Sequence, residues 1–395
     1  MARAEIAHRT ANRATAQQWA AIADVLDIAG ESLEIFVDPA LPMRATERAE
    51  FAVRAAIADT AVRLGLSESL VRAQAFDATA LRQRLPRVWS AFWEGDLSAP
   101  NARTAAELLG SLLDEPEIND LFDTALAAIV GLAPARFRVR ARVLRERIHS
   151  IPLAERARAA RETRGVWIEN GIDGMADLCM RLPAEQAHQA FGRVDAAARL
   201  IANDAEESRT LAQIRADSAI DLLVSGDLVD GGLPSARVSV GVLVPVLTLL
   251  GHSDEPGILD GYGPIDAETA RRLAAHAPSF TRLLTHPVSG ALLDIDRTSY
   301  RPPADLKRWM AVIDQTCTFI GCGRLARNSD LDHTVDHQYG GTTRASNLAH
   351  LCRHHHRLKH MTRWTVKSEP GAPGHRTVSW TSPTGNERAA DPPPF

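Results

Sequence analysis

Residues 331–360 read LDHTVDHQYGGTTRASNLAHLCRHHHRLKH, and seven of the chain's fourteen histidines fall between His333 and His360. Cys317 and Cys322 lie just ahead of this stretch and Cys352 lies inside it. Packing does not call for imidazole, thiolate, carboxylate and amide at such density; metal chemistry does. The stretch also sets the local fold. A short strand ending in Asp332-His333, a loop holding Gly340-Gly341, a second strand around Asn347–Leu351 and a helix from about Arg353 make a ββα unit.

Two pairs have zinc-ligand spacing. Cys317-x4-Cys322 ends in the turn-forming Gly321-Cys322-Gly323. Cys352-x2-His355 opens the expected helix, where positions i and i+3 share a face. Together they make a closed Cys3His tetrahedron for a structural Zn2+, able to stabilise a segment too small for a large core. His354, His355 and His356 are adjacent, so the sequence permits a swap at the fourth position. A second constellation comprises Asp332, His333, Asn347 and His356. Successive helical residues diverge by about 100°. His355 can therefore face the zinc while His356 faces an open groove, with His360 one turn later on the same side.

Outward from this stretch the composition changes. Residues 301–365 carry ten Lys/Arg against five Asp/Glu, whereas residues 1–300 carry 32 against 41. The basic part is thus the His/Cys-rich part, which suits a polyanion such as DNA. At 395 residues the chain is too long for one ordinary core. With 45% hydrophobic residues, few aromatics and abundant Ala, Leu and Arg, it reads as a mainly α, globular protein. Clustered cysteines without a signal peptide read as metal binding in a reducing cytoplasm, with nucleoid association compatible. The longest apolar run, Val238–Leu250, is too short to span a bilayer, so no membrane is expected.

From Thr15 to Leu153 the pattern is helical, with Phe51, Ile57, Ala61 and Leu64 at near-helical spacing. Ser67 and Ser98 look like helix N-caps. The window Arg136–Arg164 holds ten arginines and three glutamates; it reads as a solvated helix face or as a second phosphate-contacting face. Val166–Glu169 and Met175–Leu182 suggest a β-hairpin, followed by helices over Pro183–Ile201 and Arg209–Leu223. A strand at Val238–Val244, a helix at Asp266–Ala275, an extended Leu292–Tyr300 and a linker at Arg301-Pro302-Pro303 complete the first part. Trp364–Lys367 and Thr377–Trp380 suggest a terminal hairpin before a Pro-rich tail. The domains expected are a mostly helical 1–300 with a few β-hairpins, a zinc-stabilised ββα-metal domain at 301–365, and a hairpin and tail at 366–395.

The string Asp332-His333, Gly340-Gly341, Asn347-Leu348, Leu351-Cys352, His355-His356 and Lys359 resembles the HNH endonuclease motif in its cysteine-bearing zinc-finger form. The match covers about 315–362, with order and spacing agreeing at several independent positions. Residues 20–300 more loosely resemble the helical domain of unknown function that precedes HNH modules in the 13E12-repeat family. The resemblance implies His333 as the general base towards an attacking water. It implies Asp332 and His356 as ligands of one divalent cation, Mg2+ or another such as Mn2+, with His360 as an extra ligand. Asn347 would either orient the base and its loop or approach the metal. DNA would be cut to leave 5′-phosphate and 3′-hydroxyl ends.

Arg344, Arg353, Arg357 and Lys359 are the expected phosphate contacts. Asp336-His337 repeats the Asp-His dipeptide where relatives usually have a proline-aromatic stretch, and reads as exposed loop or as a metal or phosphate contact. His350 and His354 read as surface or zinc-neighbour residues. The leading expectation is a metal-dependent DNA endonuclease, with a homo-oligomer compatible. A zinc-stabilised DNA-binding module without cleavage and a protein-interaction scaffold with a vestigial nuclease are the alternatives.

Overall fold

A computed structural model describes residues 1–204, 206–225, 242–259, 261–275, 302, 304–370 and 376–391. The fold is mainly helical with a few small antiparallel sheets. The described residues form two compact units, one joining 1–150 with 280–395 and the other covering 151–279. Packing therefore groups the chain differently from a division at residue 300, because the C-terminal module shares its core with the first helices.

In the first unit the leading helices are α1 (Ala2–Glu31), α2 (Leu33–Phe36), α3 (Ala45–Leu64) and α4 (Glu68–Arg84). They are followed by α5 (Pro86–Trp93), α6 (Ala99–Leu109), α7 (Pro116–Ala127) and α8 (Pro134–Ile148). Proline near the start of α5, α6, α7 and α8 costs no intrahelical bond there. Ser67 caps α4 by accepting from the Leu70 N–H at 3.2 Å. Ser98 occupies the N-cap of α6 but its side chain makes no capping bond. At α5 the cap comes from elsewhere: buried Asp123 on α7 accepts from the Arg87 and Val88 N–H groups, each at 2.9 Å. Trp19, Val71, Leu81, Phe92, Leu109, Phe122, Leu126 and Phe137 fill one core.

Helix α3 is buried on two sides. Ile57 and Ala61 join that first core, while Phe51, Ala52, Ala55, Ala56, Ala58 and Val62 line a second. Leu64, expected on the buried stripe, is 47% exposed, since α3 turns its last residue to solvent. The small alanine side chains let the C-terminal module approach closely, and Phe319, Leu351, Leu358, Trp364, Val366 and Trp380 complete the second core.

That module begins with α14 (Ala304–Asp314), counting the helices of the second unit described below. Strands β6 (Asp330–His333) and β7 (Leu348–Leu351) pair antiparallel, Asp332 opposite Ala349 and His333 opposite Leu348. Helix α15 (Arg353–Met361) follows, giving the ββα order expected. Instead of a simple terminal hairpin, three strands order as β10 (Glu387–Ala389), β9 (Arg376–Thr381), β8 (Thr365–Pro370).

The second unit contains α9 (Leu153–Arg161) and the hairpin β1 (Gly165–Asn170) with β2 (Ala176–Arg181). Asp173 and Gly174 adopt positive φ at its turn, as Asp-Gly does in tight hairpins. Helices α10 (Ala184–Ile201) and α11 (Leu211–Ser225) are joined by Arg215 and Asp195. Strands β3 (Val242–Leu243), β4 (Gly257–Leu259) and β5 (Gly263–Ile265) form a sheet beside α12 (Val246–Leu249) and α13 (Ala267–Ala275). Most of the expected strand at 238–244, the extended 292–300 and nearly all of the 301–303 linker lie outside the described residues. No helix among the described residues is long and apolar enough to cross a membrane.

Candidate metal centres

Helix α15 contributes to three groups of side chains that could hold a metal ion: a cysteine group, an Asp332/His356/His360 group, and Glu68 with His354 and His355, which shares His355 with the first. In the first, Cys317 and Cys322 come from the turn before β6, while Cys352 and His355 come from the start of α15. Their ligand atoms all lie within 4.8 Å of one another. The His355 Nδ1 is 3.5 Å from the Cys317 Sγ and 3.3 Å from the Cys352 Sγ. Ligand pairs around a tetrahedral ion with bonds of about 2.0–2.3 Å stand slightly under 4 Å apart (~3.5–3.8 Å), so the donor set fits zinc. Hydrogen bonding to Cys322 and Cys352 pushes the Cys317 thiol up, while Cys317 and Cys322 pull Cys352 down. Sulfurs this close cannot all ionise unaided; a divalent cation removes that conflict.

The geometry distinguishes His355 from its neighbours. Its ring stacks on Phe319 at 4.0 Å between centroids and 13° between planes. Its Nε2 lies 2.7 Å from the Glu68 Oε1, and the other Glu68 oxygen is 2.9 Å from the His354 Nε2. His354 is thus a neighbour of the cysteine group, held away from the sulfurs by Glu68. Burial opposes the Glu68 charge, yet the bonds from both imidazoles outweigh it and lower its pKa to about 2.

The second group joins Asp332 on β6 to His356 and His360 on α15. The His356 Nε2 is 3.7 Å from the Asp332 Oδ1, and the His360 Nε2 is 3.3 Å from the Asp332 Oδ2. On its far side the His356 Nδ1 is 2.9 Å from the Asp330 Oδ2. Asp330 and Asp332, two apart on a strand, share the face towards α15. Burial opposes ionisation of Asp332, but His360 and Lys359 hold its carboxyl well below the ordinary range.

His333 and Asn347 stand outside that three-residue group. His333 is buried at the end of β6, with its Nε2 3.0 Å from the Thr343 Oγ1 and its ring 6.1 Å from that of His337. Burial lowers its pKa from the ordinary histidine value. Asn347 clamps the intervening loop. Its Oδ1 accepts from the Thr334 hydroxyl at 2.7 Å and the Val335 N–H at 2.9 Å, and its Nδ2 donates to the Val335 and Thr342 carbonyls. Of the two alternatives for Asn347, these bonds match the loop-orienting one. Gly341 is part of the same clamp, since a Cβ there would meet the Val335 carbonyl oxygen at 1.7 Å.

The expected phosphate contacts differ among themselves. Arg353 is exposed and 3.8 Å from Asp330. Arg344 is half-buried beside the Ala345–Asn347 turn. Arg357 lies over the Phe51 ring at 5.0 Å and 3.8 Å from Glu47, which turns it towards α3. Lys359 is only 9% exposed and sits between Asp332 and Asp336, each at 2.8 Å, with the His333 carbonyl as a third partner. Its position neutralises carboxylates and is not that of a solvent-facing phosphate contact.

Asp336 borders the second group through Lys359 and lies 3.8 Å from the His360 Nδ1. His350, read as a surface or zinc-neighbour residue, is buried and holds Asp314 at 2.9 Å, and Asp314 also pairs with Arg376 at 2.6 Å. Sequence reasoning missed Glu68, Asp330 and Thr343. Strand periodicity could have found Asp330; nothing local pointed to Glu68, 287 residues from its partner.

Residues 6–314 match the family described as "Domain of unknown function (DUF222)". The chain belongs to the DUF222 family. The match ends at Asp314, whose carboxylate binds His350 and Arg376 beyond it. The chain is 30% identical over 352 residues to "Uncharacterized protein Rv3776" of Mycobacterium tuberculosis strain H37Rv, covering 78% of this chain and 65% of that protein. It is 40% identical over 93 residues to "Uncharacterized protein Rv2100" of the same strain and "Uncharacterized protein MT2160" of strain CDC 1551, covering 24% of this chain and 16% of each relative. The chain therefore spans less than two thirds of the length of these relatives. No solved structure matches.

Proposed function

We propose that the chain is a metal-dependent endonuclease of the HNH type that hydrolyses DNA phosphodiester bonds. The observation that carries this reading is the convergence of Asp332, His356 and His360 beside the strand end that holds His333. One carboxylate and two imidazoles, with ligand atoms within 4.8 Å, suit a divalent cation, and the nitrogen donors favour a transition ion such as Mn2+ over Mg2+. Such an ion, held by Asp332, His356 and His360, would supply charge stabilisation at the scissile phosphate and the departing 3′ oxygen.

The protein's own groups would divide the remaining work. His333, with its pKa lowered by burial, would take a proton from the attacking water. Asn347 and Gly341 fix the loop that carries Thr343 against His333. Asp330 orients the His356 ring through Nδ1, which leaves Nε2 for the cation. Exposed Arg353 offers a phosphate contact. The Cys317/Cys322/Cys352/His355 group would hold a structural zinc.

A second reading, a zinc-stabilised DNA-binding module without cleavage, draws on Lys359. Its ammonium already neutralises Asp332 and Asp336, as a cation would. Plasmid nicking in Mg2+ or Mn2+ separates the readings. Wild type should convert supercoiled DNA to nicked or linear product, and His333→Ala and His356→Ala should each lose at least a hundredfold of that rate. DNA retention without nicking in every metal would favour the binding module. Full activity in His333→Ala would move the base assignment to His337.

A further inference from the structure

Glu68 lies in the part of the chain that matches a domain of unknown function, yet its carboxylate ends at the cysteine group. It is the first residue of α4, positioned by the Ser67 cap, and its side chain is 20% exposed. One oxygen takes the His355 Nε2 and the other takes the His354 Nε2. His355 therefore presents only Nδ1 to the sulfurs, while Phe319 fixes its ring plane. A carboxylate on the far nitrogen of a metal-ligating imidazole sets its tautomer and raises its basicity.

We propose that Glu68 is a positioning residue for the zinc ligand His355, so that the helical domain supplies part of the metal site and metal occupancy latches α4 to the C-terminal module. The inference rests on the reading that the Cys3His group holds zinc. The bond spans 287 residues, so its formation requires α4 to be docked on α15. Linkage makes the effect reciprocal: what tightens the metal also tightens the docking. His354 has a second part in this arrangement. By occupying the other oxygen it keeps the carboxylate in one rotamer and turns its own ring away from the sulfurs.

The test uses the full chain and zinc itself. Zinc content is measured first, then zinc affinity by competition with a chromophoric chelator, and the sulfur-to-metal charge-transfer spectrum after Co2+ substitution. Glu68→Ala should bind zinc about 10–100-fold more weakly and show an altered Co2+ spectrum. Glu68→Gln retains an acceptor without the charge and should fall between Glu68→Ala and wild type. Val71→Ala, a cavity substitution at a fully buried site three residues along α4, controls for general destabilisation and should leave zinc affinity unchanged at low temperature. Zinc affinity in Glu68→Ala within twofold of wild type, or an equal loss in Val71→Ala, would overturn the positioning role. Wild-type protein purified folded and free of zinc, and failing to take it up, would instead sink the zinc reading, and the proposal with it.

Discussion

Trp364 tests whether the two ends of the chain form one cooperative body. It is 1% exposed, at the start of the terminal sheet, and its indole N–H donates to the Ala55 carbonyl on α3 at 3.3 Å. Its ring meets Phe319 edge-on at 5.1 Å and Trp380 at 6.4 Å. Truncation to alanine removes about 200 Å² of buried surface, worth about 5 kcal/mol at 25 cal/mol per Å². Partial collapse of the cavity brings the expected loss to about 3–5 kcal/mol. That is a large share of a typical domain stability of about 5–15 kcal/mol. Trp364→Phe keeps most of the area and loses mainly the bond to Ala55, for about 1–2 kcal/mol. Native-state hydrogen exchange gives the local readout, on peptides covering 51–62 of α3 and 353–361 of α15. Protection of both should fall together in Trp364→Ala, and less in Trp364→Phe. Were α3 to keep its wild-type protection while α15 lost its own, the shared core would not be a cooperative unit and the reasoning would fail.

Two further outcomes follow from local geometry. Gly341→Ala forces its Cβ onto the Val335 carbonyl, which Asn347 holds in place, and should cost about 1–3 kcal/mol of loop protection. Gly340→Ala meets no atom, and only its φ of 86° is strained, so its loss should be smaller; equal losses would refute the close approach. Asp77 on α4 is raised to about 6 by burial, with Arg103 opposing and Glu107 adding. The native state then holds the proton more tightly than the unfolded chain. Stability falls as pH rises from about 4 to 6 and stays lower above that. Asp77→Asn should raise the thermal midpoint at pH 7.5 and change it little at pH 4; equal shifts at both would refute the assignment.

The ββα order and the side chains that α15 brings together with Cys317 and with Asp332 were legible because their members lie within a short span, where spacing fixes which side chains share a face. Cys352 to His355 is one helical turn, and His356 to His360 is another. Distant partners left no comparable mark. The alanines of α3 announce a buried face without naming what covers it, namely the core they share with Trp364 and Trp380. Lys359 reads as a surface cation among arginines; only the fold shows Asp332 and Asp336 around it. His350 looked like one more member of a cluster, yet its partner Asp314 ends α14, ahead of the cluster. Ser98 had the right residue for a cap, but its side chain makes no capping bond to the helix that starts at Ala99.

These distant contacts converge on one element. Helix α15 places His355 among the cysteines and His356 and His360 beside Asp332, with His355 and His356 about 100° apart around the axis. A small rotation of the helix would move both groups at once, so its orientation has to be fixed from several sides. Leu358 is buried in the core shared with α3, Arg357 lies over Phe51, and Glu68 holds His354 and His355. Three of these anchors are supplied by helices preceding residue 85, far outside the 315–362 stretch that carries the motif. On the opposite side Asp330 and Asp332 hold His356 and His360. The N-terminal helices are therefore part of the scaffold that orients both groups of side chains on α15. In physical terms, a ββα unit this small has little core of its own, and burying α15 against α3 and α4 provides the rigidity that a metal site requires.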